Sequence, residues 1–394
     1  REGGVTHKNK ISMMVAAFAF SYNFAASISA IWGLVTIPIT QSVQRMGLIN
    51  NVFLPQSIFE DMTGKVAIVT GANTGVGFRT ASHLSRMGAE VVLACRSLEK
   101  AEAAAAQIKE AEDGGNRLVH AMKLDLGDLD SVHDFCSVFL AKNKRLNVLV
   151  NNAGTNDKSG PVTKYGHGHC FAVNFLGPFL LTNLLLNVMK KTEGESRIVN
   201  LSSVTHHFAE GDFEASSKPE FHKDSYRNSK LAMLLFTLEL NRRLQREGSQ
   251  EGGGGHGVVT AVAVNPGAVN SDIWRHSRQG RTGLKGRLVS FLENVLYLTP
   301  DQGAATSVYG AVGKLDQEMA SEGFYLAPYS IPSFLGQSKW RIPLEMVNSF
   351  AGPRHTRPTL PVSEEIKAAA LWALADKLTS VVGLEKRQGE NNEQ

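Results

Sequence analysis

The sequence predicts an α/β fold, a single domain built on a doubly wound parallel sheet. Three observations carry this. From Gly64 onward, short apolar runs of strand length alternate with runs of helix length, the pattern of parallel strands joined by helical crossovers. A glycine-rich turn, Thr70 to Gly77, joins the first of these strands straight to the first helix. The unusual short motifs fall at the carboxyl ends of strands, where open sheets of this kind bind ligands.

At 394 residues the chain is long enough for a large core. The net charge of +4 comes from both signs scattered along the sequence, which gives no footprint for nucleic acid. Three cysteines, Cys95, Cys136 and Cys170, lack the close pairing of a zinc site or a disulfide framework, so a reducing, intracellular compartment is expected and no metal. The chain begins at Arg1 rather than methionine, which reads as a fragment or a processed product. Residues 1–62 form an apolar segment and a connector, residues 63–334 the sheet domain, and residues 335–394 a C-terminal extension ending in an amphipathic helix. Ile11 to Gln44 carries no charged side chain. A stretch of that length reaches across a bilayer, but a targeting segment and an apolar hairpin remain open readings. Membrane association through residues 11–44 is the expectation carried forward.

Lys65 to Val69 reads as a buried strand. TGANTGVG then runs into a helix from Phe78 to Met87. Gly71 permits the sharp turn, and Gly75 and Gly77 let backbone approach a pyrophosphate on the helix N-terminus, with Asn73, Thr74 and Val76 between them. A second strand, Glu90 to Cys95, ends at Arg96. An acidic residue at this tip binds a ribose 2′-hydroxyl, whereas an arginine suits a 2′-phosphate, so Arg96 predicts NADP(H) over NAD. A helix from Leu98 to Ala111 stops at Asp113-Gly114-Gly115. A third strand, Arg117 to Leu124, leads into Asp125-Leu126. A helix from Leu129 to Lys142 precedes the strand Asn147 to Val150, which runs into Asn151-Asn152-Ala153-Gly154. An apolar helix through Val173 and Phe179 to Met189 carries a polar Asn174. Strand Arg197 to Leu201 ends at Ser202-Ser203, where a hydroxyl could meet a substrate oxygen or cap a turn. Phe208 to Lys223 reads as a polar loop, and Glu247 to Gly257 as a glycine-rich surface excursion. Strand Val258 to Val264 leads into Asn265-Pro266-Gly267. Glu364 to Leu378 repeats apolar residues at one-turn intervals and is expected to pack on the body.

Tyr226-Arg227-Asn228-Ser229-Lys230 opens a helix whose apolar run is Leu231 to Leu240. Four residues apart, Tyr226 and Lys230 share one face. A lysine ammonium beside a phenol favours the phenolate and is expected to bring the tyrosine pKa down from about 10. Tyr226 then exchanges a proton with a carbonyl or alcohol oxygen. With seven tyrosines in the chain, this pair says little by itself.

Together these motifs resemble the short-chain dehydrogenase/reductase family, in its order and spacing, from about Thr63 to Leu326. ACRS (Ala94 to Ser97), SSVTHH (Ser202 to His207), SKLAMLLF (Ser229 to Phe236), TPDQGA (Thr299 to Ala304) and Leu371-Trp372-Ala373-Leu374 resemble the retinol dehydrogenase-like carbonyl reductases. The resemblance implies a Rossmann fold. It implies Tyr226 as general acid/base, with Lys230 lowering its pKa and holding the nicotinamide ribose. Ser203 orients the substrate oxygen and Asn174 holds a proton-relaying water. Asp125, Leu126, Asn152, Ala153, Gly154, Pro266, Gly267, Val269 and Ser271 are expected against the cofactor. Phe175 and Pro178 stand where relatives often carry histidines. The implied activity is hydride transfer between NADP(H) and a carbonyl or alcohol of a lipophilic small molecule such as a retinoid or steroid. A homo-oligomer on an intracellular membrane is expected. A nucleotide-binding structural or regulatory subunit of a membrane complex is the alternative, and a protochlorophyllide-reductase-like enzyme a third reading.

Overall fold

The structure is a computed structural model. It describes residues 60–111, 118–157, 160–218, 225–250, 257–271, 273, 283, 297–315, 324–327, 354–355 and 367–380. The N-terminal residues 11–44 and nearly all of 275–296 lie outside these. In chain order the elements are β1 (Val66–Thr70), α1 (Gly75–Arg86), β2 (Glu90–Cys95), α2 (Leu98–Glu110), β3 (Val119–Lys123), α3 (Leu129–Lys142) and β4 (Val148–Asn151). There follow α4 (His169–Lys191), β5 (Glu195–Leu201), α5 (Phe213–Ser217), α6 (Ser225–Gln250), β6 (Val258–Val264), α7 (Pro300–Val312), β7 (Phe324–Ala327) and β8 (Arg354–His355). Residues 367–380 form a last helix, α8.

The eight strands make one sheet in the order β3-β2-β1-β4-β5-β6-β7-β8. Every pairing is parallel except β7 with β8. Chain direction across the sheet reverses between β1 and β4, and there the carboxyl ends open a crevice. β1 is buried along its whole length, VAIVT, as a central strand covered on both faces must be. Its side chains alternate between two cores. Val66 and Ile68 face α3, α4 and α6, with Phe139, Phe179 and Phe236. Ala67 and Val69 face α1, α2 and α7, with Leu84, Ile108 and Val308.

Helix starts follow local chemistry. Ser97 caps α2 by accepting from Lys100 N–H, Asp128 caps α3, and Thr299 with Gln302 forms a reciprocal capping box on α7. The α4 helix is interrupted by a π-turn at Ala172–Leu176 that contains Asn174. Pro178 lies in the turn just after it. Phe175 is fully buried, 5.2 Å from Phe171 and 6.1 Å from Phe179 between ring centroids, so the two unusual residues of this segment are packing residues. Among the described residues α4 is the one helix long and apolar enough to cross a membrane, and it lies mostly buried in the core.

Two expectations need correction. The polar loop Phe208 to Lys223 contains α5, capped by Asp212, with Phe213 and Ser216 buried. Asn228 holds it there: its amide donates to Ser216 Oγ at 2.8 Å and accepts from Gly211 N–H at 3.1 Å. The excursion expected from Glu247 is helical as far as Gln250, where α6 ends, and Glu247 pairs with Lys190; residues 251–256 lie outside the described residues. The C-terminal extension contributes more than a helix, since Arg354–His355 adds the antiparallel edge strand β8.

Candidate active site

The carboxyl ends of β1 to β6 open into a cleft of about 550 Å³. Its floor is the turn after β1. Gly71 and Gly75 have φ of +63° and +61°, conformations that favour glycine. At Gly77 a Cβ would lie 2.3 Å from Asn152 Nδ2 and 2.6 Å from the Gly71 carbonyl oxygen, so only a bare backbone fits. The Thr74 side chain does not cap the N-terminus of α1, and no acidic residue lies in the helix's first turn. N–H dipoles at such a helix start suit an anionic diphosphate.

The NNAG segment is fastened to this turn. Thr70 Oγ1 accepts from Asn152 N–H and Ala153 N–H, both at 3.0 Å, and Asn152 Nδ2 donates to Thr70 O at 2.7 Å. Asn151 points into the protein instead, donating to Thr182 Oγ1 and Asn200 Oδ1. Asp125 Oδ1 accepts from Gly127 N–H, which turns the chain after β3. Asn265 Oδ1 accepts from Gly267 N–H at 3.0 Å, where φ is +82°. The loop beyond is tied to residue 298 by backbone bonds from Asn270 and to Ala268. Gly303 at the start of α7 lets Val269 and Val76 close over the same end of the cleft.

Of the sequence-predicted residues, Gly71, Asn73, Thr74, Gly75, Val76, Gly77, Arg96, Asp125, Leu126, Asn152, Ala153, Gly154, Ser203, Tyr226, Lys230, Pro266, Gly267, Val269 and Ser271 all line this cleft. Tyr226 opens α6 and is buried, and the Ser203 hydroxyl hydrogen-bonds its phenol. Ser203 also caps the 3₁₀ turn Val204–Phe208 by accepting from Thr205 N–H. Ser202 is buried and donates to the Lys230 carbonyl at 2.8 Å. Lys230 Nζ donates to the Leu201 carbonyl at 2.9 Å and stands 5.7 Å from the Tyr226 ring centroid.

Asn174 stands behind the cleft wall. Its Oδ1 accepts from Thr155 N–H at 2.7 Å, and its Nδ2 donates to Thr155 O at 2.9 Å and Ser229 Oγ at 3.0 Å. It thereby joins the loop after β4 to the first turn of α6.

The electrostatics depart from expectation. Burial pushes the Tyr226 phenol above its ordinary value of 10.0, and this outweighs the Ser203 hydrogen bond that favours the phenolate. Burial brings Lys230 down to about 8. Both charged forms lose hydration, so Tyr226 is a neutral phenol at neutral pH with a partly labile ammonium beside it.

Sequence reasoning missed Lys100, Thr155, Asp157, Pro161, His169 and Val173, which also line the cleft. Lys100 carried a usable signal, being in the first turn of the helix that follows Arg96 and the same strand tip. His169 and Asp157 carried none, because only the folded β4–α4 connection brings them to the wall.

A family model described as short chain dehydrogenase matches residues 65–282. Retinol dehydrogenase 11 of Mus musculus is 37% identical over 325 residues, covering 81% of this chain and 93% of its own length. Polyprenol dehydrogenase of Homo sapiens is 39% identical over 263 residues, covering 65% and 75%. A crystal structure of an uncharacterised protein from Mycobacterium paratuberculosis superposes with a TM-score of 0.57 at 29% identity, covering 82% of this chain and 95% of that one.

Proposed function

The chain belongs to the short-chain dehydrogenase family, in its retinol dehydrogenase-like branch, and from that premise we propose an NADP(H)-dependent reductase of a lipophilic carbonyl compound. The observation that carries it is the neutral, buried Tyr226 phenol, hydrogen-bonded to Ser203 with Lys230 beside it at the mouth of a diphosphate cradle. The residues fit a dinucleotide. Gly71 to Gly77 and the start of α1 would hold the diphosphate, Arg96 and Lys100 would supply positive charge for a ribose beyond β2, and the Asn265 to Ser271 loop would border the nicotinamide. When bound, the cofactor supplies the hydride.

The chain's own side chains handle the oxygen. Ser203 donates to the carbonyl oxygen and fixes its direction. Tyr226 gives that oxygen its proton as negative charge develops there, and a neutral phenol suits this reductive direction. Lys230, as an ammonium, steadies the phenolate that remains. Asn174 positions the wall by clamping Thr155 to α6. The low-dielectric setting that keeps Tyr226 protonated also strengthens each of these interactions.

The relatives named for retinol and polyprenol support a long apolar alcohol or aldehyde as substrate. The charge-free residues 11–44 suit attachment to an intracellular membrane, where such compounds partition. Purified full-length protein incubated with NADPH and retinal or a polyprenal tests this. Reduction of the aldehyde with consumption of NADPH is expected, and cofactor binding without turnover of any aldehyde overturns the proposal.

A further inference from the structure

The reaction above leaves several titratable side chains of the cleft unused, His169 among them. His169, the first residue of α4, lines the wall near the tips of β2 and β3. Backbone hems in its ring on two sides. A Cβ on Gly160 would lie 2.4 Å from His169 Cδ2, and one on Gly127 would lie 3.7 Å from Cε1. The charged groups around it come from three other elements: Arg96 after β2, Asp125 after β3, and Asp157 in the β4–α4 connection. Lys100 on α2 lines the same cleft. In a sheet of this topology the adenosine lies over these strand tips, so the imidazole shares a wall with Arg96 and Asp125 on that side.

We propose that His169 is a proton-dependent selector for a phosphorylated adenosine ribose. The neutral ring serves either dinucleotide; the protonated ring adds a positive charge near Arg96 and favours only the one bearing a 2′-phosphate. The idea rests on the NADP reading and deepens it by naming a second specificity residue. Burial and the Arg96 guanidinium hold His169 below its usual 6.5, against the opposite pull of Asp125 and Asp157, and the N-terminus of α4 opposes a positive charge as well. The free enzyme therefore carries a neutral ring at neutral pH. A bound phosphate dianion reverses the local field and raises the pKa, so NADPH binding takes up a proton from solvent as pH falls towards about 6, while NADH binding takes up none. The phosphate protonates in the same region, near pH 6; in His169→Gln it is the only one of the two groups left to titrate, so the excess proton uptake of wild type reports the imidazole.

Dissociation constants of NADPH and NADH, measured by nicotinamide fluorescence on the full chain at about pH 8 and about pH 6, test this in wild type, His169→Gln and His169→Lys. At about pH 6, His169→Gln is expected to lose about fivefold in NADPH affinity, the size of one partly exposed ion pair, with little loss at about pH 8 and none for NADH. His169→Lys stays charged and is expected to hold NADPH at least as tightly as wild type at both values. Calorimetry in two buffers should show proton uptake on NADPH binding in wild type and less in His169→Gln. Cooperative thermal melts establish that the variants fold. Equal losses for both dinucleotides, or an NADPH loss unchanged between the two pH values, overturn the proposal. Wild type binding NADH as tightly as NADPH at both pH values overturns the NADP reading and the proposal with it, a result visible before any variant is made.

Discussion

Tyr226 and Lys230 were legible as a helical pair, but their chemistry was not. The sequence places a phenol and an amine one turn apart and suggests that the amine lowers the phenol. Folding buries both, and loss of water then matters more than their mutual attraction, leaving Tyr226 neutral and Lys230 near 8. Two outcomes follow at this scale. Tyr226→Phe should lower turnover by roughly 10²–10⁴-fold, the usual contribution of a positioned acid, while dinucleotide affinity measured by fluorescence stays within about twofold. Reductive kcat/KM in wild type should fall as pH rises through about 8, because Lys230 loses the proton that steadies the phenolate. In Lys230→Arg the guanidinium stays charged, so that alkaline limb should be absent from the pH profile even though the overall rate is lower. Asn174 shows the other side of the problem. A lone amide in an apolar helix marks a position of interest, yet its partners, Thr155 and Ser229, are 19 and 55 residues away.

At the scale of elements, the strand, glycine turn and helix were read in the right order, since they are neighbours in sequence, although α1 begins at Gly75 rather than at the expected Phe78. Gly77→Ala brings a Cβ within 2.6 Å of the Gly71 carbonyl oxygen. Backbone must shift there, at about 1–3 kcal/mol, and dinucleotide affinity should fall by about tenfold or more in a titration. The far end of the chain is a different case. Helical periodicity announced α8, but not its seat. Trp372 packs 5.1 Å from Phe179 and 5.5 Å from Phe236, with the Arg243 guanidinium 4.1 Å above its ring. Trp372→Ala should destabilise the protein by about 2–3 kcal/mol, less than a fully buried tryptophan because the ring is only half-buried. Denaturant unfolding measures it. The short helix α5 was missed because its buried Phe213 and Ser216 sit in a run of polar residues, and it is Asn228 of the neighbouring helix that anchors it.

Across the whole molecule, the C-terminal region completes the sheet domain rather than trailing from it. Leu371 and Ala375 of α8 belong to the same core as Phe179 and Phe236 of α4 and α6, and β8 closes the sheet edge. Ending the chain at residue 356 should uncover that aromatic face. Light scattering and binding of an apolar dye should then report self-association, as exposed apolar patches of this kind produce. A truncated chain that stays monomeric and melts like the full one would show that α8 contributes little.

What the sequence by itself determined were the features that local chemistry controls: the alternation of strands and helices, the glycine turn, and the motifs at the strand ends that make the protein a short-chain dehydrogenase. A period, a turn conformation and a cap each depend on a handful of adjacent residues. Only the tertiary structure decided the protonation of Tyr226, the seat of α8, the inward turn of Asn174 and the placing of His169 in the same cleft as Arg96. These depend on desolvation and on contacts between distant parts of the chain, and neither exists until the sheet has formed and its two faces are covered.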